Sequence, residues 1–194
     1  MKTSRIFLVS WLLALAGGGC LATAPINPQA AEHNLAGARA LARGELHRAE
    51  VCLRLSLEYN PCFADALHNL ALVELARGRL ELAERREREA LECRPELVQA
   101  VNGLGVVNWK RGRIELARDF FQRALKMDPG YLDARRNLVV VALESGDPAT
   151  ARRQLERLRL LAPHDEWVER VASLLAARHP LAGDRKGERK GEGR

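Results

Sequence analysis

The sequence has little of what active sites are usually built from. Aromatic residues make up 5% of its 194 residues, while 47% are hydrophobic, so any interior has to come from Leu, Ala and Val. Serines are sparse and no Gly-x-Ser-x-Gly turn occurs, which removes a serine-nucleophile reading. His33, His47, His68, His164 and His179 lie in separate stretches, without His-x-x-x-His or Cys-x-x-Cys spacing, so no metal or other cofactor is expected. No Gly-rich phosphate loop follows a strand-like run; Gly17 to Gly19 belong to the N-terminal segment. The net charge of +6 comes partly from the two ends, and no basic cluster is interleaved with aromatics. Nucleic acid is therefore not an expected partner. The Glu/Arg neighbours from Glu84 to Glu89 read as a solvated helix face. The chain is read as a non-enzyme with no small-molecule substrate.

Long hydrophobic runs are also missing. The longest, Ile6 to Ala16, has eleven residues and is too short to anchor stably across a bilayer. Lys2 and Arg5 precede it and Gly17, Gly18, Gly19 and Cys20 follow. A basic start, a short apolar core and a small-residue exit form a signal peptide, residues 1–19. The stretch Leu15 to Cys20 resembles the lipobox of bacterial lipoproteins, in which the cysteine thiol receives a diacylglycerol and becomes the first mature residue. Gly17 departs from it, since Leu is usual there. Ala14-Leu15-Ala16 fits the rival route, ordinary cleavage before Gly17. If Cys20 is lipidated, Leu21 in place of Asp directs the protein, by the same resemblance, to the outer membrane. Residues 20–29, with Pro25 and Pro28, read as an extended tether.

What is abundant is repetition. Pro61, Pro95, Pro129 and Pro163 stand 34 residues apart, as do Gly44, Gly78, Gly112 and Gly146, and Ala49, Ala83, Ala117 and Ala151. Units follow at 30–63, 64–97, 98–131 and 132–165. Each holds two apolar-periodic stretches, such as 98–111 and 114–127, separated by a Gly suited to a helix C-cap. The recurrent Ala marks a close helix approach, and the proline stops the second helix. One helix pair cannot bury its own apolar face, but stacked pairs can. In the third unit Val101, Leu104, Gly105, Ala117, Phe121, Ala124 and Pro129 fall at positions 4, 7, 8, 20, 24, 27 and 32. This pattern resembles the tetratricopeptide repeat. The expected fold is all-α, a right-handed helical solenoid of four helix pairs. Residues 166–178 carry an apolar stripe and resemble the family's C-terminal capping helix. The tail 179–194 is Gly-rich and charged and reads as disordered. Glu87 and Arg135 stand at positions 24 and 4, where an apolar residue is expected. Their stems should pack with the charged heads in water.

The resemblance implies that the first helix of each unit lines a concave groove. Position 5 reads Asn34, His68, Asn102 and Arg136, and position 6 adds Asn69 and Asn137. Trp109 and Lys110 lie further along, beside Val106, Val140, Leu72 and Leu75. An asparagine amide both donates and accepts, so it can pair with a peptide backbone of any sequence, or with a neighbouring helix. Trp109 suits an interface anchor, or a core position. The carboxylate-clamp pattern of some family members is not met, because Ala38, Gly103 and Gln99 stand at its positions. If Cys20 is lipidated, Cys52, Cys62 and Cys93 remain, an odd number, and no disulfide is expected. The expected function is scaffolding of a protein partner in the cell envelope. The type IV pilus biogenesis lipoproteins, which help the pilus secretin assemble, are similar, although they carry about six repeats. A soluble periplasmic peptide-binding module or chaperone, or a regulator of peptidoglycan enzymes, is the alternative.

Overall fold

The computed structural model describes residues 27–178. The signal segment, Cys20, most of the tether and the tail 179–194 lie outside them. The described residues form nine helices: α1 (Pro28–Ala42), α2 (Leu46–Tyr59), α3 (Ala64–Ala76), α4 (Leu80–Cys93), α5 (Val98–Lys110), α6 (Ile114–Met127), α7 (Leu132–Glu144), α8 (Pro148–Leu161) and α9 (Glu166–Arg178). This is the all-α helical solenoid expected from the repeats. Each odd-numbered helix from α1 to α7 packs on the even-numbered helix that follows it, and α9 packs on α8. α1 also touches α3, α3 touches α5 and α5 touches α7, whereas among the described residues no two even-numbered helices bring their Cα atoms within 8 Å of each other. Helices that touch on one side and splay on the other bend the stack. The first helices of the pairs therefore line its concave side.

Local chemistry explains the repeat signals. Gly44, Gly78, Gly112 and Gly146 adopt φ of 70 to 74°, a left-handed conformation that costs an L side chain about 1–2 kcal/mol. The N–H after each glycine returns to a carbonyl of the last turn, as Glu45 N does to Ala40 O at 2.9 Å. That closes the first helix and turns the chain into the second. Ala49, Ala83, Ala117 and Ala151 have no solvent exposure and set the close approach of paired helices. At position 24 Leu53, Phe121 and Leu155 fill the core. α9 covers the last pair through Val168 and Leu175, packed with Leu155 and Leu158.

Four expectations need correction. The helix begins inside the stretch read as a tether: Asn27 Oδ1 accepts from Gln29 N at 2.9 Å and Pro28 opens α1. Proline is preorganised for the first helical position, so Pro28 marks a helix start. Glu87 does not hold its head in water; it is fully buried. Nor does Arg135, which is 4% exposed. Its Nη1 donates to Gln154 Oε1 at 2.9 Å and its Nη2 to Pro129 O, so the turn carbonyl and an amide replace solvent. Finally, Cys62 and Cys93 form a disulfide, leaving Cys52 free. Cys62 lies in the turn after α2 and Cys93 ends α4. Successive pairs stack these two ends side by side, with Cα atoms 5.4 Å apart.

Candidate functional site

A row of polar rungs runs along the seam where the first helices meet. The repeat generates it: position 5 of one unit meets position 6 of the next, 35 residues on. Asn69 Nδ2 donates to Asn34 Oδ1 at 2.9 Å, joining α1 to α3. Asn137 Nδ2 donates to Asn102 Oδ1 at 2.9 Å, joining α5 to α7. Asn34, Asn69 and Asn137 are half-buried and Asn102 is 9% exposed. Each rung uses one donor and one acceptor. An amide has two of each, so capacity to bond an extended backbone remains on the open side.

The middle rung is built differently. His68 occupies position 5 on α3, but its counterpart on α5 is Gly103, which has no side chain to offer. Glu87 of α4 fills that space. A Cβ on Gly103 would stand 1.9 Å from Glu87 Oε1. His68 Nδ1 lies 3.1 and 3.0 Å from the two Glu87 carboxylate oxygens. His68, Glu87 and Gly103 together thus stand in place of the Asn–Asn pair of the neighbouring rungs. The imidazole closes the rung and leaves its second nitrogen free of intramolecular bonds among the described residues. Burial raises the Glu87 pKa above the ordinary carboxylate value, against the lowering effect of the His68 bond and charge. Nearby Tyr131 is pushed up to about 12, first by burial and then by Asp133, Glu87 and Asp128.

The remaining sequence-selected residues extend the seam. Arg136 Nη2 donates to Asp165, which also caps α9 through Trp167 N at 3.0 Å. The arginine bond, first among its causes, lowers the Asp165 pKa. Trp109 packs partly buried on Phe121, Leu138 and Val141, and its Nε1 donates to Glu144 Oε2 at 2.5 Å. Trp109 and Glu144 are again 35 residues apart. Lys110 is exposed, with Nζ 5.8 Å from the Trp109 ring centroid. Val106, Val140, Leu72 and Leu75 are half-buried beside these groups. The result is a concave strip of satisfied but unsaturated amides, one imidazole and an apolar margin. Such groups can exchange hydrogen bonds with a polypeptide backbone. No group of three or more His, Cys, Asp or Glu able to hold a metal occurs among the described residues. No described helix is long and apolar enough to cross a membrane.

Sequence reasoning placed these residues on one face but missed their partners Glu87, Glu144 and Asp165. The signal was present: an acid at a core position, Gly103 opposite His68, and a recurrent 35-residue offset.

Comparisons with known proteins agree with the helical-repeat fold. Tetratricopeptide repeat models match residues 63–99 and 108–177. No curated protein sequence matches the chain. Among solved structures, the chain is similar to pilF of Pseudomonas aeruginosa, with 26% identity and a TM-score of 0.71 over 77% of this chain and 68% of that one. It is similar to MamA, with 19% identity and a TM-score of 0.60, covering 77% of this chain and 81% of that one. It is also similar to YrrB, described as a repeat protein with an unusual peptide-binding site, with 21% identity, a TM-score of 0.56 and 77% of each chain covered.

Proposed function

The chain belongs to the tetratricopeptide repeat family, and on that premise we propose that it is a non-enzymatic scaffold that holds a protein partner in the cell envelope. One observation carries the interaction reading: the row of rungs from Asn34 to Arg136, which keeps free donors and acceptors along the concave seam. An extended segment laid there gains backbone hydrogen bonds without sequence demands. Trp109 and the apolar margin then select among segments.

The envelope part of the proposal rests on the basic, apolar and small-residue segment ending at Cys20. Two observations support it. A disulfide joins Cys62 to Cys93, and such bonds persist in exported proteins and are rare in reducing compartments. The likeness to pilF agrees with the resemblance to type IV pilus biogenesis lipoproteins. In this reading Cys20 carries the lipid, the repeats face the periplasm from the outer membrane, and the partner is an envelope complex under assembly, such as the pilus secretin. Metabolic labelling with palmitate, followed by membrane fractionation, tests the anchor. Wild type should take up label and sediment with the outer membrane, and Cys20→Ala should do neither. A Cys20→Ala protein that still sediments there removes the lipoprotein reading. Unlabelled wild type in the soluble periplasm favours the peptide-binding module instead.

A further inference from the structure

The convex side offers a different chemistry. We propose that the cleft between α6 and α8 is a binding site for a phosphate-class oxyanion. The cleft encloses about 340 Å³, and Lys126, Arg135, Arg153 and Arg157 line it with no carboxylate among the lining residues. Gln122, Gln154 and Thr150 are its other polar walls. None of the four cations lies within ion-pair distance of a carboxylate among the described residues. The acid that feels the Arg153 charge, Asp147, is committed to capping α8 at Thr150 N, 2.9 Å away. The corresponding cleft beside α2 is charge-mixed, with Arg54 and Arg86 facing Glu58.

Arg135 makes the cleft a built site. It occupies position 4, where the second and third repeats bury Leu67 and Val101. The residue is 4% exposed, and its Nε is buried with no hydrogen-bond partner. A buried guanidinium proton without an acceptor is costly, as is a buried charge without a counter-charge. Burial, and then repulsion from Arg157, disfavours the charged form of Arg135. An oxyanion bound in the cleft supplies the missing counter-charge. Guanidinium groups match phosphate oxygens in pairs, and a multivalent anion answers four cations better than a single carboxylate does. The phosphate can come from a free anion or from the headgroup of an anionic phospholipid.

Calorimetric titration of the full chain in detergent tests the site. The probes are inorganic phosphate, short-chain phosphatidylglycerol and short-chain phosphatidylcholine, with chloride at matched ionic strength as the control. Saturable binding of phosphate is expected, weakened roughly tenfold or more in Arg135→Leu, which restores the aliphatic register. Arg153→Gln/Arg157→Gln, altered only at exposed positions, should weaken it similarly and decides the matter if Arg135→Leu does not fold. Binding of phosphatidylglycerol, but not phosphatidylcholine, with the same loss in the variants identifies the headgroup as the source. Phosphate binding alone identifies the free anion. The proposal is overturned if neither probe saturates, if chloride gives the same heat, or if both variants bind as wild type does.

Discussion

Gly103→Ala should have opposite effects on stability in two backgrounds. The new methyl carbon would lie 1.9 Å from Glu87 Oε1, 2.5 Å from Cδ and 3.1 Å from Oε2. The glutamate has to withdraw, and its bond to His68 breaks. Loss of a hydrogen bond to a charged group costs about 1.5–3 kcal/mol, and the displaced carboxylate has no other partner in its buried site. Alanine in a helix interior is about 1 kcal/mol better than glycine, which offsets part of this. The single substitution should therefore destabilise by roughly 0.5–2 kcal/mol. In a Glu87→Ala background the three atoms nearest the methyl group, all of Glu87, are gone, and the same change should stabilise by up to about 1 kcal/mol. Urea unfolding of the four proteins, followed by far-UV circular dichroism with the disulfide intact, gives the cycle. A neutral or stabilising Gly103→Ala in the wild-type background would refute the placement of Glu87 in the space that Gly103 leaves.

Other consequences are as direct. Burial holds the Glu87 pKa above its ordinary 4.5, so the folded chain keeps a proton that the unfolded chain has lost. That contribution is complete below the unfolded value and is lost as pH rises through the folded one. Wild-type stability should thus fall relative to Glu87→Gln as pH rises above 4.5, and parallel profiles in denaturant titrations at stepped pH would contradict this. Replacing Cys62 and Cys93 by serine opens a link between residues 31 apart, and loop entropy gives a loss of roughly 3–4 kcal/mol, readable as a shift of the urea midpoint. Gly78→Ala meets nothing within 4 Å but keeps φ at +74°, so its cost of about 1–2 kcal/mol, measured the same way, isolates backbone strain.

The repeats made the helices legible because their signals are local. A glycine that must adopt positive φ, an alanine at a helix crossing and a proline after a helix each act within a few residues. The groove face was legible for the same reason, since positions 5 and 6 inherit their direction from the phase of the helix. The pairings were harder. Glu87 read as a tolerated surface charge because its neighbours in sequence are charged, whereas its burial depends on Gly103, sixteen positions on and in the next repeat. Arg135 was misread likewise, because its acceptors lie on Pro129 and Gln154. The disulfide needed the stacking offset: Cys62 and Cys93 are separated by one repeat less about one helical turn, which sets the end of one second helix beside the turn that precedes its own pair. Pro28 was read by composition, as tether, although a proline beside an Asn cap also starts a helix.

Photo-cross-linking in living cells tests the central claim most directly. A cross-linking side chain placed at Leu72 or Val140, on the concave margin, should give a discrete adduct with an envelope protein. The same group at Arg123, exposed on α6, should give none. The adduct should disappear when Asn69, Asn102 and Asn137 are all replaced by alanine in a chain that keeps its helicity. Equal adducts from both faces, or a groove adduct indifferent to the three asparagines, would contradict the account.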